Sequence, residues 1–169
     1  MSRRYLQVYL VVAASLGVAW LISRIARDVL VDFARVTNES MLPYLLPGQR
    51  LVISRLSPCL HLPFMRRGVA CGPCNPGDVY VFRLTERSEQ RLVKFAVTKE
   101  EFDSGSARIA SGDIISFTPR TAALSQPPET GRPVCYFVGS NGERSVDSRD
   151  FGPVPADAVE GRVVYPQHR

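Results

Sequence analysis

The pattern of apolar and polar positions divides the chain at about residue 38. Residues 5–23 carry no charge and are rich in Leu, Val and Ala. About 20 apolar residues cross the roughly 30 Å hydrocarbon core of a bilayer as a helix, and Ile25 and Ala26 lengthen the run if Arg24 snorkels to the headgroups. Tyr5, Tyr9 and Trp20 stand near its ends, as an interfacial aromatic belt requires. A cleaved secretory signal has a shorter apolar core, about 7 to 15 residues, followed by a small-x-small site, and residues 21–28 offer none. The expectation is an uncleaved anchor over residues 5–26. Ile25, Val29, Leu30 and Phe33 keep helical spacing, which predicts a connecting helix over 27–37.

After Ser40 the period changes. Short runs rich in β-branched and aromatic residues recur at 50–54, 78–84, 91–97, 108–117, 133–139 and 161–165. Pro47-Gly48, Pro76-Gly77 and Gly112-Asp113 mark turns between them. Residues 56–76 and 118–132 are dense in Pro, Gly, Ser or Arg and predict long surface loops. The fold class expected is mainly β: an N-terminal transmembrane helix, then an all-β domain over 38–169 of twisted antiparallel sheets, open and barrel-like.

A length of 169 residues suits one domain plus an anchor. The net charge of +5 comes from scattered Lys and Arg with no run or stripe, so it argues for mild attraction to anionic lipid rather than for nucleic acid. Arg3 and Arg4 are balanced by Arg24 and Arg27, so the positive-inside rule favours only slightly a cytoplasmic 1–4 segment and an exported body.

Lys94 lies in the middle of the 91–97 run, where Leu92, Lys94 and Ala96 share one face and Val93, Phe95 and Val97 the other. Such a lysine either reaches water at a sheet edge or sits in a dry site. In the dry case desolvation lowers its pKa and leaves a neutral amine able to activate a hydroxyl. The two histidines, His61 in a Pro-rich loop and His168 beside the end of the sequence, are poorly placed for a Ser-His-Asp triad.

Ser40 stands in the block 38–48, Asn-Glu-Ser-Met-Leu-Pro-Tyr-Leu-Leu-Pro-Gly, and three more blocks follow at 76–82, 92–97 and 139–152, the last being Gly-Ser-Asn-Gly-Glu-Arg-Ser-Val-Asp-Ser-Arg-Asp-Phe-Gly. In this order, behind an apolar anchor, they resemble the bacterial type I signal peptidase family. The resemblance implies an exported catalytic domain that cuts signal peptides from preproteins with a Ser/Lys dyad and no cofactor or metal. By position Ser40 is the nucleophile and Lys94 the base, and Ser145 orients the lysine amine. Asp147, Ser148 and Arg149 brace the site, and Met41 and Pro43 lie close to substrate. Asn38 occupies the place of a serine that donates to the oxyanion; an Asn amide can also donate. Tyr44 stands where the family has Thr, Phe95 where Arg is common and Ser140 where Asp is common. Losing the Arg and Asp together leaves no unpaired buried charge. Glu39 has no evident task.

The partners implied are signal-peptide-bearing preproteins and membrane lipids, and the location is a cell membrane, crossed once. Rival readings exist. An inactive relative would bind exported peptides without cutting them, and a self-cleaving repressor-type protease would carry a DNA-binding domain that is absent. Cys71-Gly-Pro-Cys74 has the wording of a redox motif, but a turn into a strand follows it, with no helix to stabilise a thiolate. A loop disulfide between Cys71 and Cys74, or with Cys59, suits an exported body better. Zinc on Cys59, His61, Cys71 and Cys74 lacks paired spacing. Cys135 is expected as a small buried residue.

Overall fold

The computed structural model describes residues 3–61, 65, 67–84, 90–118, 131–142 and 144–165. Helix α1, Arg3–Leu30, is 28 residues long. At 1.5 Å per residue it reaches about 42 Å, more than a bilayer core needs. Its stretch Gln7–Arg24 has mean hydropathy 1.4 and is wholly unburied by the rest of the chain. Val8, Leu10, Val11, Leu16 and Ile22 therefore face outward with no protein partner, as lipid-facing side chains do.

Of the connecting helix expected over 27–37, residues 27–30 continue α1 and the remainder does not form a helix. The chain passes straight from α1 into strand β1, Val31–Arg35, which pairs antiparallel with β2, Arg50–Ser54. Ala34 packs toward the core while Phe33 and Arg35 face out, a period of two. Helical spacing of a few apolar positions was outweighed by a ladder that satisfies the whole backbone of the segment.

The strands β3 (Val79–Phe82), β4 (Leu92–Val97), β7 (Val134–Val138), β8 (Val154–Pro155) and β9 (Val159–Tyr165) complete a seven-stranded sheet of order β1-β2-β9-β3-β4-β7-β8. Every pairing in it is antiparallel. The sheet curls: Arg91, just before β4, reaches back to the Phe33 carbonyl of edge strand β1 at 3.0 Å. The fold is thus the mainly β, open and barrel-like body that the sequence pattern implies. The 108–117 run is broken, however. β5 (Ser106–Arg108) and β6 (Ile114–Ser116) form a separate hairpin, reversed around Gly112 at φ 92°. A short helix α2, Lys99–Ser104, precedes them, held by a capping box between Thr98 and Glu101.

All residues of β3 and β4 are buried, because both faces of the central sheet are covered. Val93, Phe95 and Val97 join a first core with Met41, Leu51 and Ile53. Leu92 and Ala96 join a second with Tyr80, Phe82 and Phe137. The loop over 56–76 is covalently fixed, by disulfides Cys59–Cys71 and Cys74–Cys135. The Cys59–Cys71 bond is the expected loop pairing in its form with Cys59. Cys74 corrects the other form, since it pairs with Cys135 and not with Cys71, and Cys135 is buried as expected but is a disulfide partner. The spacing alone could not choose partners, because Cys74 and Cys135 meet only when β7 comes alongside the sheet. Most of the loop at 118–132 (119–130), the loop residues 62–64 and 66, and His168 lie outside the described residues.

Candidate active site

Two turns build the site. The first, between β1 and β2, carries Ser40. Its base is closed by Val36 N–H donating to Gln49 O at 2.9 Å and Gly48 N–H to Val36 O at 2.8 Å, with Gly48 at φ 86°. Within it Met41 and Leu45 are fully buried and anchor the turn in the first core. Met41 is therefore core rather than a substrate-facing surface, while Pro43 is exposed. Ser40 is 3% exposed, and its Oγ donates to Asn38 Oδ1 at 2.8 Å.

The second turn follows β7 and runs from Gly139 to α3, Ser148–Phe151. It grips the first. Asn141 donates from its backbone to Ser40 O at 3.1 Å and from Nδ2 to Glu39 O at 3.2 Å. Ser140 Oγ donates to Leu42 O at 2.9 Å, and Arg144 pairs with Glu39 at 2.6 Å. Sequence reasoning missed this clamp. The residues were in the quoted block, but nothing in a turn-rich string says which groups face another turn 100 positions earlier. The clamp also gives Glu39 a partner, though an exposed ion pair stabilises little.

Lys94 projects from the centre of β4 and is 1% exposed. Its Nζ donates to Ser145 Oγ at 2.9 Å, and Ser145 Oγ donates to Asp147 Oδ2 at 2.7 Å. Asp147 also accepts from Gly139 N–H at 3.0 Å, Arg149 Nε at 2.8 Å and Arg149 Nη2 at 2.8 Å. It caps α3 as well, accepting from Arg149 N–H at 3.1 Å. Ser148 Oγ accepts from Phe137 N–H at 2.9 Å and so ties α3 to β7. Arg149 donates further to Gly142 O at 3.1 Å and lies over the Phe117 ring at 5.5 Å.

Electrostatics follow from this packing. Burial lowers the Lys94 pKa to about 8; the Asp147 charge opposes that shift and the Arg149 charge supports it. Burial alone would raise the Asp147 carboxyl, but hydrogen bonds from Arg149, Gly139 and Ser145 hold it below its ordinary value. Asp147 and Arg149 neutralise each other, so desolvation of the amine prevails.

Gly139 joins the two halves. A Cβ there would lie 2.6 Å from the Ser40 carbonyl and inside contact distance of Ser145 Oγ. The Ser40 carbonyl and the Ser145 hydroxyl thus crowd the one place a Cβ would take, so only glycine lets the two turns close on each other there. Ser40 Oγ and Lys94 Nζ do not bond directly here, since each has taken another partner. Asn38 turns its carbonyl oxygen, not its amide donor, toward Ser40, so the expected oxyanion contact is not formed in this arrangement. Of the departures from the family pattern, Tyr44 and Phe95 pack edge to face at 5.5 Å.

No family model matches the chain. It is 30% identical over 131 residues to the mitochondrial ATP-independent inner membrane protease subunit 1b of Arabidopsis thaliana. This chain is a weak homologue of a membrane protease subunit. The match covers 76% of the chain and spans 64% of the relative's length. The relative is an inner membrane protein by name, and this chain carries one N-terminal helix apolar enough to cross a membrane.

Proposed function

We propose that the chain is a membrane-anchored serine endopeptidase that removes N-terminal signal peptides from exported proteins, with Ser40 as nucleophile and Lys94 as base. The observation that carries the reading is the buried Lys94 amine, fixed by Ser145, whose hydroxyl lies beside the Ser40 carbonyl at Gly139. A lysine in that state gives up its proton near pH 8 and has no stabilising ion pair of its own.

The chemistry begins when Ser40 Oγ turns from Asn38 toward Nζ. The neutral amine takes the hydroxyl proton as Oγ bonds to the scissile carbonyl carbon. The lysine then protonates the leaving amine, and water, activated by the same amine, hydrolyses the acyl-enzyme. Ser145 holds Nζ in register, and Asp147 with Arg149 holds Ser145. The Ser40 N–H serves the oxyanion once freed from Asn38, and Asn38 serves it if its side chain turns over. Substrate lies extended along the free edge of β1, with small residues at the first and third positions before the cut. The two disulfides support an exported body, since such bonds persist in oxidising compartments.

The test is cleavage of a preprotein by the purified full-length chain in detergent, beside Ser40→Ala and Lys94→Ala. Both variants are expected to lose at least about 1,000-fold in rate, as removal of an acyl-transfer nucleophile or base does. A wild-type chain that binds the preprotein but never cuts it would make this an inactive relative.

A further inference from the structure

Among the described residues the sheet ends on β1, whose C-terminal end leads into the Ser40 turn. Arg55 N–H donates to Leu30 O at 3.0 Å and Val36 N–H to Gln49 O at 2.9 Å, so even-numbered residues bond to β2. Odd-numbered residues of β1 therefore turn their main-chain groups to the free edge. Those of Phe33 are already taken, the N–H by the Asp32 carboxylate at 2.7 Å and the carbonyl by Arg91 at 3.0 Å. The open stretch begins at Arg35 and leads through Thr37 to Ser40.

Arg35 stands directly opposite Arg50 in the ladder. By the same alternation this is a non-hydrogen-bonded pair, with Cα atoms about 4.5 Å apart and side chains on one face. Like charges so placed repel. Both arginines are exposed, and neither has an ion-pair or hydrogen-bond partner among the described residues. They line an open groove of about 570 Å³ with Phe33, Thr37, Gln90 and Arg91. The nearby carboxylates Asp32 and Glu160 are engaged by Arg91 at 2.7 and 2.8 Å, which leaves the groove positive among the described residues.

We infer that Arg35 and Arg50 form a subsite for an acidic side chain of the substrate, at the second or fourth position before the cut. The inference rests on the peptidase reading above. A chain emerging from the membrane where α1 ends meets β1 at Val31 and runs parallel to it toward Ser40. Side chains of an added strand alternate. With the first and third turned to the body, beside Ala34 and Val36, the second and fourth turn outward beside Arg35 and Arg50. A carboxylate there relieves the repulsion between the arginines and accepts charge-assisted hydrogen bonds.

The experiment uses the full-length chain in vesicles of neutral lipid and peptides that differ only in Glu, Gln or Lys at the second or fourth position. The expected result is a kcat/KM preference for Glu over Lys of about three- to tenfold at one of these positions, as partly exposed ion pairs give, shrinking with salt. In the double variant Arg35→Gln, Arg50→Gln the Glu/Lys ratio falls to about one, whatever the absolute rate, and Arg35→Lys with Arg50→Lys retains a preference. No preference in the wild type, or an unchanged ratio in the Gln variant, overturns the subsite. So does a loss that is equal for all peptides and seen only when anionic lipid is added, which makes the pair a headgroup site. If the wild type cuts none of the peptides, the peptidase reading itself fails.

Discussion

The proposed chemistry rests on one side chain, Lys94. Its amine has a charged form that burial disfavours, lowered to about 8 from 10.5. Only the neutral form can take a proton, so kcat/KM should rise about tenfold per pH unit up to roughly pH 8 and level off above it. A flat profile between pH 6 and 8 contradicts a lysine base. The same shift acts on stability. Between pH 8 and 10.5 the unfolded chain keeps a proton that the folded one has lost, so stability rises with pH over that window. Lys94→Met lacks this dependence and is expected to be more stable than wild type at pH 7, by up to about 3 kcal/mol, in chemical denaturation. Equal pH–stability curves for the two proteins show the amine to be solvated.

At the scale of elements, the site is a joint between two turns held by the strands that lead into them. Gly139 sets the gap, Asn141 and Ser140 fasten the Ser40 turn, and the cap of α3 places Asp147. β7, which leads into the second turn, is tied by Cys74–Cys135 to the loop before β3. The bond spans 61 residues and so restricts the unfolded chain strongly. Replacing Cys74 and Cys135 together by Ser should lower stability by about 4 kcal/mol, and the Cys59–Cys71 pair by about 3, measured by denaturant unfolding. A loss smaller for the longer bond than for the shorter one shows that the closure entropy of the loops does not set their order. Tyr44 and Phe95 illustrate coupling between elements: one sits on the Ser40 turn and one on β4, and their edge-to-face contact fills the space between.

For the molecule as a whole, α1 is long and apolar enough to cross a membrane, and the two disulfides fit the exported body proposed above. In sealed inner-membrane vesicles whose outer face is the cytoplasmic one, an added protease should spare the β domain until detergent is present. Digestion of the body without detergent contradicts the exported orientation. What the sequence alone determined was whatever is local or periodic. The uncharged run at 5–23 announced α1, alternation announced the strands, and a lysine inside the apolar run 91–97 announced an amine that could be buried. The resemblance supplied Ser40, Ser145, Asp147 and Arg149 by position. Only tertiary structure decided that residues 31–35 are strand rather than helix, that Cys135 joins Cys74, that Met41 is core, and that Arg35 faces Arg50 at an open edge. Those outcomes depend on what lies opposite a residue across the sheet, and a period along the chain carries no information about its neighbour in the next strand.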